Sequence, residues 1–191
     1  MKRIALKPAT VLHPHPVLLV GTYGPDGKPN LMNAAWGGIC CGEPPCVAVS
    51  LREATLTYHN ILHARAFTIG IPSRKHVEAA DYVGMVSGRD RDKFRDTGLT
   101  PVKSDKVNAP LAAELPYSLE CGLLQHHKLG LHTIFIGEIL GIQADESVLG
   151  PGGFPDIEKI QAILWGGFGN NSYFAVGEKL GKAFSVGKKF K

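Results

Sequence analysis

The stretch Leu31–Thr55 (LMNAAWGGICCGEPPCVAVSLREAT) constrains the fold more than any other part of the chain. It reads as two β-strands joined by a short proline loop, Glu43-Pro44-Pro45, with a polar cluster just past the second strand. Its first half is rich in small residues (Asn33, Ala34, Ala35, Gly37, Gly38) around one large aromatic, Trp36. Small side chains let a ligand approach backbone N–H groups closely. The second half, Cys46–Leu51, is a short apolar run of the kind buried in a barrel or sandwich. It ends in Ser50, Arg52 and Thr55. A guanidinium and two hydroxyls at a strand end, just ahead of a helix start, suit a phosphate. The plainer alternative makes Arg52 a surface residue and Thr55 a helix N-cap.

The flanking sequence is also rich in strands. Val17–Thr22 is one, Gly24-Pro25-Asp26-Gly27 supplies turn chemistry, and a hairpin leads into a strand through Asn33–Cys41. The opening is therefore expected to be a meander of three antiparallel strands. Thr55–Ala64 is expected to be helical and Phe67–Ile71 a fourth strand, with Ser73 capping a helix to about Gly84. Asp90–Thr97 reads as a second short helix with Gly98 as its C-cap. Residues 100–116, with Pro101, Pro110 and Pro116, read as a surface excursion. Tyr117–Gln125 is a fifth strand, and Leu131–Gln143 is the longest apolar one, where Gly137 and Gly141 permit the bends of barrel closure. Pro155-Asp156 opens a helix to Leu164, and Tyr173–Val176 is apolar. Strands outnumber helices without regular alternation, so a closed antiparallel barrel with peripheral helices is expected, as one domain over 1–191.

Composition narrows the function classes. The net charge of +4 is scattered, and the C-terminal Lys188, Lys189 and Lys191 read as a solvated tail, so no nucleic-acid partner is expected. No apolar run is long enough to cross a bilayer. The stretch after Lys2 and Arg3 is broken by Pro8, His13, Pro14, His15 and Pro16, which argues against a secretion signal. Cys40, Cys41, Cys46 and Cys121 contain no C-x-x-C pair, and reduced, mostly buried thiols in a cytoplasmic protein are the simplest account. His13 and His15 flank a proline and His126 and His127 are adjacent, so neither pair has helical metal-face spacing and no metal is expected. There is no dinucleotide glycine fingerprint, Walker loop, H-E-x-x-H or G-x-S-x-G motif.

The segment Asn30–Thr55, with Ala34-Ala35-Trp36-Gly37-Gly38 and Val49-Ser50-Leu51-Arg52, resembles the flavin reductase-like FMN-binding split barrels, close to their flavoredoxin group. Phe67–Ser73, Asp81-Tyr82, Ser87–Phe94, Gly130–Thr133 and Gly137-Glu138 continue the resemblance in the family's order. The resemblance implies a mainly β fold, a Greek-key split β-barrel with peripheral α-helices, in a homodimer that binds FMN near the subunit interface. Ser50, Arg52 and Thr55, with Leu51 between them, would hold the 5′-phosphate. The backbone of Asn33, Ala34, Ala35 and Trp36 would line the isoalloxazine ring, and Ser87 and Lys93 would face the FMN. His132 would lie near the open face of the flavin, where a nicotinamide stacks.

The implied activity is hydride transfer from NAD(P)H to flavin N5 and on to free flavin or another acceptor. The cofactor carries this chemistry, which explains why no acid–base pair or nucleophile stands out. A flavoredoxin-like carrier that holds FMN tightly and exchanges electrons with a protein partner is the alternative. A non-redox protein that kept the barrel is a third reading, and a pyridoxamine phosphate oxidase-like role matches the motifs less well. Tyr173 and Gly181–Phe184 are expected to reach across the dimer interface.

Overall fold

The computed structural model describes residues 1–190. After a two-residue strand β1 (His15–Pro16), the strands β2 (Leu18–Tyr23) and β3 (Pro29–Ala34) form an antiparallel hairpin, in register from Leu18↔Ala34 to Tyr23↔Pro29. Its turn follows from its residues. Gly27 takes φ +75°, which costs glycine little, and its N–H donates to the Gly24 carbonyl at 2.9 Å. The Asp26 carboxylate accepts from the Lys28 N–H at 3.1 Å.

The chain continues through β4 (Gly37–Gly42), β5 (Pro45–Arg52), α1 (Leu56–Ala64), β6 (Ala66–Ile71) and α2 (Val77–Met85). Then come α3 (Lys93–Thr97), β7 (Pro101–Lys103), β8 (Pro110–Ala112), β9 (Tyr117–Leu129) and β10 (His132–Ala144). The last elements are α4 (Ile157–Ile160), β11 (Ile163–Trp165) and β12 (Tyr173–Ala175). Seven strands make one antiparallel sheet in the order β3-β2-β6-β9-β10-β5-β4.

The two edges of that sheet, β3 and β4, are consecutive in the chain and separated only by Ala35 and Trp36. The Ser50 N–H on β5 donates to the Trp36 carbonyl at 2.8 Å. Gly37 stands so close to β2 that a Cβ there would lie 2.8 Å from the Leu18 side chain. The ends of the sheet thus meet, and the sheet closes into a split barrel. This corrects the expected three-stranded meander. β3 pairs with β2 and β4 with β5, but the run Asn33–Cys41 breaks at Ala35–Trp36, and its halves go to opposite edges.

The barrel core follows strand alternation. Val47, Val49 and Leu51 point inward to meet Val20, Phe67, Ile69 and Phe135, all buried. Each such side chain contributes about 1.5–3 kcal/mol by leaving water. The long β9–β10 hairpin slips register at Ile136/Gly137 and Ile139/Gly141, where the expected bends lie. A second core, including Leu19, Leu31, Ala80, Val83, Phe94 and Leu115, packs α2 and α3 against the β2–β3 hairpin.

Two further expectations change. Pro110–Ala112 is buried, and the Thr68 hydroxyl donates to the Pro110 carbonyl, so residues 100–116 include a core element and are not wholly a surface excursion. The helix opened by Asp156 stops at Gln161, which turns left-handed at φ 53°, and Ile163–Trp165 becomes a strand between β1 and β12. Tyr173 bonds within its own chain: its hydroxyl donates to Asp81 at 3.0 Å and accepts from the Asn33 amide at 3.3 Å. Phe184, by contrast, is fully exposed. Among the described residues no helix is long and apolar enough to cross a membrane.

Candidate functional site

The site begins where β5 hands over to α1. Alternation turns Leu51 into the core and leaves Ser50 and Arg52 on the outer face. The Thr55 hydroxyl donates to the Arg52 carbonyl at 2.9 Å and accepts from the Tyr58 N–H at 3.3 Å. It is therefore the N-cap of α1 and ties the strand end to the helix start. Opposite lie the C-terminal end of α2, the connection Val86-Ser87-Gly88, and Lys93 at the start of α3. Together they enclose a cavity of about 280 Å³ whose lining includes Arg52, Thr55, Thr57, Ser87, Lys93 and Met32. Four sequence-predicted residues, Arg52, Thr55, Ser87 and Lys93, thus converge on one space from three parts of the chain.

The electrostatics of this cavity are those of an anion site. Lys93 is only 4% exposed, and its ammonium donates to the Val83 carbonyl at 2.7 Å. Burial pushes its pKa down to about 8. An ammonium has three donors, so the carbonyl leaves capacity for another acceptor. Among the described residues neither Lys93 nor Arg52 has a carboxylate within ion-pair distance. The neighbouring cations are directed elsewhere. Arg91 pairs with Asp96 at 2.8 Å, and Arg89 donates to the Ala54 carbonyl at 2.8 Å, bridging the two walls of the cavity. Gly88 is required by close packing, since a Cβ there would lie 2.0 Å from the Asn30 side-chain oxygen. Sequence reasoning missed Met32, Thr57, Gly88 and Arg89. The motif Ser87–Phe94 contained two of them, but its spacing does not say which of its cations turns inward.

Ser50 lies elsewhere than expected. It lines a second cavity of about 700 Å³ with Ala35, Trp36, Gly38 and Ile134, roofed by residues 9–12 and 14–16. Two residues along a strand is a separation of roughly 6.8 Å, enough to put Ser50 and Arg52 at different walls. The other predicted residues divide clearly. The Leu51 side chain is 1% exposed and belongs to the core, which leaves only its backbone for a ligand. Ala34 is likewise a core residue. The Asn33 amide is committed to the Ala80 carbonyl at 2.9 Å and to Tyr173. Ala35 and Trp36 lie between the β3 and β4 ladders and outside both.

His132 lines neither cavity but stands beside one lining residue of each. It is the β10 residue in register with Arg52, and its ring packs on Trp36 with centroids 4.8 Å apart at 40°. Paired cations and hydroxyls in the first cavity suit a phosphate monoester, and the aromatic, apolar walls of the second suit a planar ring. No group of histidine, cysteine and carboxylate side chains suited to a metal ion occurs among the described residues.

Residues 10–158 match the family model described as "Flavin reductase like domain". Flavoredoxin of Desulfovibrio vulgaris (Miyazaki F) is 49% identical, with a TM-score of 0.92 over 98% of this chain and 100% of that one. Flavoredoxin from Methanosarcina acetivorans is 28% identical, with a TM-score of 0.93 over 100% of both chains. A protein of Escherichia coli (strain K12) is 33% identical over 72% of this chain and 75% of its own length. The chain belongs to the flavin reductase-like family, in the split-barrel fold of the flavoredoxins.

Proposed function

We propose that this protein binds FMN and acts as a flavin reductase-like oxidoreductase, taking hydride from NAD(P)H and delivering electrons to free flavin or another acceptor. The observation that carries the reading is the buried Lys93 ammonium beside Arg52, Thr55 and Ser87 in one cavity, with no carboxylate to neutralise it among the described residues. A phosphate monoester supplies the missing negative charge and accepts from the two cations and from the Ser87 hydroxyl, whose oxygen only accepts from the Arg89 N–H. When bound, FMN supplies reversible two-electron chemistry, including hydride acceptance from a nicotinamide.

The residues of the chain have separate tasks. Arg52 and Lys93 hold the phosphate, and Thr55 and Ser87 orient it. Ala35 and Trp36 offer backbone and an aromatic wall to the ring, with Ser50 on the same cavity. His132, steadied by Trp36, orients the nicotinamide, and the segment 9–16 shields the cavity from water. Exposed Leu6, Leu12, Leu180 and Phe184 on the two terminal segments support a homodimer, in which a second copy covers them. Four free thiols fit a reducing cytoplasm.

A second reading, an electron carrier that holds FMN and serves a protein partner, is favoured by the 49% identity to a flavoredoxin across nearly the whole chain. Anaerobic mixing of the FMN-loaded protein with NADH and with NADPH separates the two. Bleaching of the flavin band by either nucleotide supports the reductase. Bound FMN that neither nucleotide bleaches supports the carrier. A chain that binds no FMN when it is supplied excludes both.

A further inference from the structure

The β4–β5 hairpin carries Cys40, Cys41 and Cys46, three of the four free thiols. Cys41 and Cys46 are directly opposed across the antiparallel ladder, one step in from the closing pair Gly42↔Pro45. Opposed residues in such a ladder present side chains on one face, with Cα atoms about 4.5 or 5.5 Å apart according to the kind of pair. A disulfide spans Cα separations of about 4.4–6.8 Å. Either ladder spacing falls within that reach.

The other thiols do not compete. Cys40 is the bulged residue where the register jumps from Ile39↔Val47 to Cys41↔Cys46, so it has no partner across the ladder. It lines the Trp36 cavity. Cys121 sits on β9 opposite Ile139, and Cys46 sits on β5 opposite Glu138, so β10 lies between them. Two strand spacings are about 9.6 Å, beyond disulfide reach. Access divides the opposed pair into roles. Cys41 is exposed, and Cys46 is 3% exposed, with burial and the adjacent thiols pushing its pKa up. Cys41 is thus the attacking thiol and Cys46 the resolving one.

We infer that Cys41 and Cys46 form a reversible two-electron thiol–disulfide couple whose substrate class is the low-molecular-weight disulfide. In the first step the Cys41 thiolate attacks one sulfur of the small disulfide. Its S–S bond breaks, a mixed disulfide forms on Cys41, and one thiolate leaves and takes up a proton. In the second step Cys46 gives up its proton and attacks the Cys41 sulfur. The Cys41–Cys46 bond forms, and the second small thiolate leaves and is protonated. The protein dithiol is oxidised by two electrons, and one small disulfide is reduced to two thiols. The bond staples the hairpin whose first residues, Gly37 and Gly38, wall the Trp36 cavity. The couple needs neither FMN nor a nicotinamide, so it stands apart from the flavin reading.

The test incubates the full chain with oxidised glutathione, quenches with N-ethylmaleimide and weighs the intact protein. Wild type is expected to lose two hydrogens and shield two of its four thiols from alkylation, reversibly with dithiothreitol. C40S is expected to keep the bond and C41S to lose it. C46S and C46A are expected to stop at the mixed disulfide, with one glutathione retained on Cys41. Cys41 is exposed, so C41S decides the matter even if the buried substitutions disturb folding. Full alkylation of wild type after treatment, or a bond that survives in C41S, overturns the inference.

Discussion

The Lys93 ammonium lies 2.7 Å from the Val83 carbonyl oxygen and has no carboxylate partner among the described residues. Its pKa, lowered by burial to about 8, gives it a pH signature. An FMN phosphate needs the charged form, so FMN affinity is expected to fall as pH rises through about 8, by at most tenfold per unit. K93Q is expected to bind FMN weakly and without that pH dependence. Unliganded stability runs the other way. The unfolded lysine keeps its proton up to about 10.4. The unfolded chain therefore binds more protons above pH 8, and stability rises with pH across that window. Fluorescence titrations and urea melts at several pH values, on wild type and K93Q, check both signs.

Arg52 is exposed at the end of β5 and has no ion-pair partner among the described residues. Its charge-assisted bonds to a phosphate are worth about 1.5–3 kcal/mol. R52A is therefore expected to weaken FMN binding roughly 10- to 100-fold while leaving thermal stability unchanged. R52K is expected to restore only part of the loss, because an ammonium cannot make a bidentate contact. Isothermal titration of the three proteins measures this.

His132 packs on Trp36 and stands in register with Arg52. If it orients the nicotinamide, H132A is expected to slow flavin reduction by NAD(P)H about tenfold or more. FMN affinity is expected to stay within about threefold, since no phosphate contact is lost. Stopped-flow reduction beside FMN titration distinguishes this from a merely structural histidine, whose loss moves both or neither.

A Cβ on Gly137 would lie 2.5 Å from Cζ of Phe67, which is fully buried. Overpacking of this kind costs about 1–3 kcal/mol. G137A is expected to lower the melting temperature by roughly 3–10 °C for a chain of this size. Differential scanning calorimetry gives the value.

What the sequence disclosed was mainly local chemistry. The Gly24–Gly27 turn, the Thr55 cap, the Gly98 left-handed cap and the bends at Gly137 and Gly141 are each written in a few adjacent residues. The break at Ala35–Trp36 is not, because the apolar pattern runs through it unchanged and only the meeting of the distant sheet edges ends the strand. Pro110–Ala112 is hidden likewise: its prolines signal a loop, whereas its burial comes from contact with Thr68 on β6. At the site, residue identity grouped Arg52 with Thr55, and only the family resemblance added Ser87 and Lys93, which share their cavity. Strand parity assigned Leu51 to the core, and barrel closure moved Ser50 to the Trp36 cavity.

The most direct measurement compares the binding of FMN and riboflavin, which differ only by the phosphate, to the flavin-free protein. Binding of FMN at least about 100-fold tighter than riboflavin is expected, with the gap shrinking in both R52A and K93Q. Equal affinities for the two flavins, or a gap that neither substitution narrows, would contradict a phosphate held by Arg52 and Lys93.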